Sequence, residues 1–108
     1  MPKSIKTLQR EGPKRIFQHP KVICVDVDGT LIRNGQLNKD LVRWIIRMKK
    51  NYSVYLWSMR GEEYCQSICR KFRLGKLFNK VISKPGLVVD DSGWNWISET
   101  RVIRIHGT

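Results

Sequence analysis

The chain has 108 residues, room for one small domain that buries only about 60 % or slightly more of its unfolded surface. Its 21 Lys and Arg face nine Asp and Glu, a net charge of +12, and there is no apolar run of about 18 residues to form a transmembrane helix. The opening Met-Pro-Lys-Ser-Ile-Lys lacks the apolar stretch of a signal peptide, and three cysteines without a C-x-x-C pair do not form a disulfide framework. The expectation is a cytoplasmic protein with no membrane association.

Residues 1–20 carry Lys3, Lys6, Arg10, Lys14 and Arg15 with Gly12-Pro13 and His19-Pro20 breaks, which reads as a basic, partly mobile arm ahead of a domain at 21–108. From Lys21 the pattern alternates between strands and helices. A β-branched run predicts a strand at 22–27, of the kind buried on both faces. It delivers Asp26 and Asp28, two residues apart and so on one side, into a turn with Gly29 and Thr30. Two carboxylates at the mouth of a buried strand cost stability unless a cation or a reacting group offsets them.

Arg33-Asn34-Gly35-Gln36 then reads as a small flap or hairpin turn. A helix follows at about 38–50, with Leu37, Leu41, Trp44, Ile45 and Met48 on its apolar stripe and Lys39, Arg43, Arg47, Lys49 and Lys50 elsewhere. A strand at 53–57 ends before Ser58, and a helix at about 62–73 carries Glu62 and Glu63 in its first turn and Arg70, Lys71 and Arg73 in its last, matching the helix dipole. Trp44 and Trp57 read as core. Strands at 80–83, 87–90 and 101–105 complete the order. The fold expected is a small three-layer Rossmann-like α/β domain, a parallel sheet with helices on both faces.

Four chemical features each follow a strand: Asp26-x-Asp28-Gly29-Thr30, then Ser58 with Met59, then Lys84, then Asp90-Asp91. In a parallel sheet the carboxyl ends of the strands gather along one edge, where ligands bind, so these positions describe one cleft. Their types suit phosphoryl transfer. A carboxylate can attack phosphorus, and Asp90 and Asp91 offer the hard oxygens that Mg²⁺ prefers. Lys84, the Ser58 hydroxyl and nearby backbone N–H groups can hold non-bridging oxygens. Gly29 permits close backbone approach, and Asp28 is left to protonate the leaving oxygen and later activate water.

This set resembles the haloacid dehalogenase-like (HAD) phosphatase superfamily, from about Val22 to Ile105, through Asp26-Val-Asp28-Gly29-Thr30, Leu56-Trp-Ser58-Met-Arg-Gly61, Lys84-Pro85 and Asp90-Asp91. The resemblance implies Asp26 as nucleophile and Asp28 as acid/base and backbone-carbonyl metal ligand. It also implies Gly29, Thr30, Ser58, Met59 and Lys84 around phosphate, and Asp26, Asp28, Asp90 and Asp91 around Mg²⁺. The short spacings from Asp28 to Ser58 and from Ser58 to Lys84 leave no room for the cap domain that family members often insert. A capless phosphatase acting on a small phosphorylated metabolite or nucleotide is expected.

Other readings stand beside these. Ser58 can cap the following helix, Lys84 can be a surface lysine, Asp91 can be a structural acid, and Arg60 can contact phosphate or solvent. Trp94 and Trp96 can stack a base or form one apolar face. Cys65 and Cys69, four apart on a helix, read as buried apolar residues, or with His19 or His106 as a zinc site. Setting aside Asp26, Asp28, Asp90 and Asp91 leaves 21 basic residues against five acidic ones, a balance of +16. Such a field attracts polyanions, so a nucleic-acid-binding or nucleic-acid-end-processing protein is the alternative. Self-association into a homo-oligomer is plausible for a thin core with an open cleft.

Overall fold

The computed structural model describes residues 20–91, 93 and 100–105. Residues 1–19 of the basic arm, His19 among them, and Trp94, Asn95, Trp96 and His106 lie outside them. The described residues fall into two compact units, 21–86 with Ile105, and Pro20 with 87–91, 93 and 100–104.

The first unit is an α/β layer pair. Its elements are β1 (Val22–Asp26), β2 (Ile32–Arg33), β3 (Gln36–Leu37), α1 (Lys39–Met48), β4 (Ser53–Ser58), α2 (Glu62–Lys71) and β5 (Lys80–Ser83). Strands β1, β4 and β5 form a parallel sheet in that order, with Val25 opposite Leu56 and Leu56 opposite Val81. The period of two is strict in β4, where Val54, Leu56 and Ser58 are buried and Ser53, Tyr55 and Trp57 are half-buried. Helix residues Ile45, Cys65 and Ile68 join Val25, Val54 and Leu56 in one buried cluster. Two successive crossovers that step the same way across a sheet bring their helices to one face, and a single core cluster is the result.

Three sequence expectations change here. Among the described residues there is one helix layer, and no second helix layer accompanies it. Strand β1 is not buried on both faces: Ile23 and Val25 turn toward the core, whereas Val22 and Cys24 are exposed at the sheet margin. Residues 87–90 and 101–105 form no strand. A β-branched run becomes a strand only where a neighbour pairs with it, and here Leu87, Val89, Val102 and Ile103 are instead exposed. Trp44 packs against the core as expected, but Trp57 lies on the half-buried outer side of β4. Among the described residues no helix is long and apolar enough to cross a membrane.

Local chemistry sets the helix starts. The β2–β3 hairpin turns on Asn34 and Gly35, both with positive φ (54° and 76°), the pattern of a two-residue type I′ turn. Asn38 then caps α1: its side-chain oxygen accepts from Leu41 N at 3.1 Å, and its amide nitrogen donates to Thr30 O at 3.2 Å. It therefore ties the helix to the turn that follows β1. Asn38→Ala removes both bonds and is expected to cost about 1–2 kcal/mol, read as a lower urea midpoint with an unchanged slope. A midpoint that does not move would show that the cap does not hold the turn.

Candidate functional site

The turn after β1 is built by backbone hydrogen bonds. Leu31 N donates to Asp26 O (3.2 Å), Ile32 N to Val27 O (3.0 Å) and Thr30 N to Val27 O (3.2 Å), while Gly29 N donates to Ile32 O (2.8 Å). Buried Val27 and Leu31 anchor it from beneath. The closure requires a left-handed residue at Gly29, whose φ is +84°. The amides of Gly29 and Thr30, expected to face phosphate, are thus engaged within the turn. Thr30 instead turns its hydroxyl toward Asp26 Oδ2 at 3.4 Å.

Asp26 ends β1, and Lys84 follows β5, the far strand of the sheet. Their side chains meet across the intervening end of β4, with Lys84 Nζ 3.0 Å from Asp26 Oδ1. Side-chain exposures of 29 % for Lys84 and 34 % for Asp26 put this pair between a screened surface contact and a buried one. Lys84 Nζ also lies 5.7 Å from the centre of the Trp57 ring. Lys84 is therefore a member of the cluster and not a free surface lysine.

Asp28 has a different setting. Tyr64 donates its phenolic hydroxyl to Asp28 Oδ1 at 2.6 Å, and Arg60 reaches Oδ2 at 3.5 Å. The Arg60 guanidinium stacks 3.8 Å above the Tyr64 ring, so the two donors hold each other in place. The partners called for by the two costly carboxylates are, within this unit, the chain's own cations, Lys84 for Asp26 and Arg60 for Asp28.

Ser58 supports both halves. It is 2 % exposed, its hydroxyl oxygen accepts from Arg60 N at 2.9 Å, and its carbonyl accepts from Lys84 N at 3.0 Å and Gly61 N at 3.1 Å. It does not cap α2; Gly61 occupies that position, with no side-chain bond to the helix. Met59 is exposed.

No protein-family model, no curated protein and no solved structure matches this chain. The site's own geometry carries the functional reading.

Tyr64 does not stand out in the sequence, because a tyrosine among Cys65, Ile68 and Cys69 reads as part of a helix's apolar stripe. Its place in the first turn of α2, directly after the loop from Ser58, is the signal that could have found it. The hydrogen bond to Asp28 raises its phenol above the ordinary value of about 10; desolvation and the Asp28 charge act the same way, and Arg60 opposes them. Stability from this bond is full below the ordinary phenol value and is lost as pH rises through the higher folded-state value. The stability of wild type relative to Tyr64→Phe is thus expected to be constant from neutral pH to about pH 9 and to shrink at about pH 11, measured as paired urea midpoints. A constant difference across that range would show that the phenol does not hold Asp28.

Of the predicted site residues, the structure brings Asp26, Asp28, Thr30, Ser58 and Lys84 together. Asp90 and Asp91 are exposed residues of the second unit, where Asp90 O accepts from Gly93 N at 3.2 Å; their part in the site stays an expectation of the resemblance. Cys65 is buried and its thiol lies 3.7 Å from Ile82 O. Burial pushes that thiol up, and Cys69 and the nearby carboxylates add to the effect. Cys69 is half-buried, and that burial pushes its thiol up while Arg70 opposes the effect. Among the described residues no three His, Cys, Asp or Glu side chains form a metal cluster. Mg²⁺ commonly takes only one or two carboxylates, the rest of its shell being water and substrate phosphate, and Asp26 and Asp28 are of that chemistry.

Proposed function

We propose that the chain is a Mg²⁺-dependent phosphatase that hydrolyses a phosphate monoester through an aspartyl-phosphate on Asp26. The observation that carries this reading is the Asp26–Lys84 pair at 3.0 Å, beside a second carboxylate that Tyr64 and Arg60 orient separately. The two acids differ in their surroundings, as two acids with different tasks require.

In this reading an Asp26 oxygen attacks phosphorus, and the ester P–O bond breaks with its electron pair going to the leaving oxygen. Asp28 passes a proton to that oxygen. The resulting Asp28 carboxylate then takes a proton from water, which attacks the phosphorus of the aspartyl-phosphate. The P–O bond to Asp26 breaks, inorganic phosphate leaves and Asp26 is restored. Lys84 stabilises charge on the transferring group, and Tyr64 and Arg60 keep Asp28 aimed. Asp26 and the backbone carbonyl of Asp28 would hold Mg²⁺, which when bound neutralises repulsion between the carboxylate and phosphate.

The three parallel strands with two crossover helices support the finer fold reading, a capless HAD-like domain. The two-residue strands of the β2–β3 hairpin are too short to act as a cap, which suits a site open to substrate. Release of inorganic phosphate from an aryl phosphate with millimolar Mg²⁺ tests the proposal. Turnover that is equal in EDTA would sink the metal dependence, and no turnover across nucleotides, sugar phosphates and phosphorylated oligonucleotides would sink the activity.

A further inference from the structure

The charges of residues 21–86 are sorted between the two edges of the sheet. All five acids of this stretch, Asp26, Asp28, Asp40, Glu62 and Glu63, lie at the end of β1, in the turn after it or in the first turns of α1 and α2, which is the edge of the candidate site. Five cations share that edge: Arg33, Lys39, Arg43, Arg60 and Lys84. Three of them pair with acids there, Arg43 with Asp40, Arg60 with Asp28 and Lys84 with Asp26. The site edge is formally neutral.

The opposite edge holds the other nine cations of this stretch and no acid. The end of α1 contributes Arg47, Lys49 and Lys50, and the end of α2 contributes Arg70, Lys71 and Arg73. Lys21 and Lys80 stand at the starts of β1 and β5, and Lys76 lies in the loop before β5. A hydrogen bond from Lys49 Nζ to Lys76 O at 2.8 Å joins the end of α1 to the loop after α2, and one from Ser53 N to Lys21 O at 3.0 Å joins the strand starts. All nine but Lys49 are exposed.

Helix dipoles favour cations at helix C-termini, which accounts for Arg47, Arg70 and Lys71. It does not account for Lys21, Lys76 and Lys80, which lie in no helix, nor for the lack of any acid. Aromatic rings are set among these cations: Lys21 Nζ is 5.9 Å from the Tyr52 ring centre and Lys80 Nζ 5.8 Å from that of Tyr55.

We propose that this edge is a docking surface for single-stranded nucleic acid. Clustered cations interleaved with aromatic rings suit a phosphate backbone with stackable bases. Insertion into an anionic membrane needs an outward apolar face, and both helices turn theirs, through Ile45, Cys65 and Ile68, to the core, which leaves a lipid surface only charge to bind by. The proposal goes beyond the phosphatase reading and does not depend on it.

The test is fluorescence anisotropy of the full chain with a labelled single-stranded oligonucleotide of about 15 nucleotides, without Mg²⁺, between about 50 and 200 mM salt. Two triple variants carry the same net charge. One neutralises the far edge (Arg47→Gln, Lys50→Gln, Lys71→Gln) and the other the site edge (Arg33→Gln, Lys39→Gln, Arg43→Gln). The far-edge triple is expected to bind about tenfold more weakly, with a salt slope shallower by roughly 0.7 for each phosphate that the variant no longer neutralises. The site-edge triple should stay within about twofold of wild type. Equal losses in both triples, or a loss in neither, would overturn the assignment, with matched circular dichroism melts confirming that each variant folds. Vesicles of phosphatidylserine and phosphatidylcholine that bind more tightly than the oligonucleotide, and lose that binding in the far-edge triple, would overturn it in favour of a lipid surface.

Discussion

Asp26→Asn is expected to lower phosphate release by at least about a thousandfold, because a carboxamide oxygen cannot form the phosphoenzyme and removal of a nucleophile usually costs that much or more. The substitution is nearly isosteric, so the turn held by the backbone bonds of Val27, Leu31 and Ile32 should survive. Its stability cost comes from the partly screened Lys84 contact, about 1 kcal/mol, and from the long Thr30 hydroxyl contact. Loss of activity without loss of fold is therefore the expected signature. Lys84→Met supplies the comparison. If Asp26 serves only as the lysine's counter-charge, both variants should lose the same modest activity, and the double variant no more. If Asp26 is the nucleophile, Lys84→Met retains measurable turnover that Asp26→Asn lacks. Wild-type rates in Asp26→Asn would end the covalent mechanism.

The second large effect is structural. Leu31→Ala is expected to destabilise the protein by about 2–5 kcal/mol, the usual cost of emptying a buried leucine site. Total stability is typically only about 5–15 kcal/mol, and a chain this short belongs near the lower end. Leu31 is fully buried, and its backbone donates to Asp26 O and accepts from Asn38 N at 2.8 Å. The cavity thus opens directly under the carboxylate turn. A much lower urea midpoint should appear, together with a loss of activity below the unfolding transition. Leu56→Ala, also fully buried but in β4, should cost similar stability with activity retained until unfolding. A Leu31→Ala midpoint within about 1 kcal/mol of wild type would show that the turn repacks and does not depend on this anchor.

Much of the first unit was legible from periodicity. The helices expected at about 38–50 and 62–73 form at Lys39–Met48 and Glu62–Lys71, and the strands at 22–27, 53–57 and 80–83 form within one residue at each end. Those segments carry local signals, an Asn cap, an Asn-Gly turn or a clean alternation, that agree with their tertiary setting. Leu87-Val-Val carries the same β-branched signal but forms no strand, because pairing is a property of the neighbour and not of the run itself. The site divides in the same way. Asp26, Asp28 and Lys84 each follow a strand, so parallel topology alone placed them at one edge. The Tyr64 and Arg60 contacts with Asp28 depend on the orientation of a helix start; the place of Tyr64 in the first turn of α2 marks it as a candidate, but no spacing encodes the contact itself. The separation of charge between the two edges needed both kinds of information, since only the topology shows that the ends of two helices and the starts of two strands meet.

Ser58 O receives the backbone of Lys84 and that of Gly61, and Ser58 Oγ receives Arg60 N. One buried residue is thus a common pivot for the lysine that faces Asp26 and for the loop and helix start that face Asp28. The partners of the two carboxylates share a single mechanical mount, so a shift at position 58 displaces the Asp26 cation and the Asp28 donors in the same movement. Tuning one half of such a site without the other requires changes farther out, at the Lys84 or Tyr64 side chain, where the linkage has already branched.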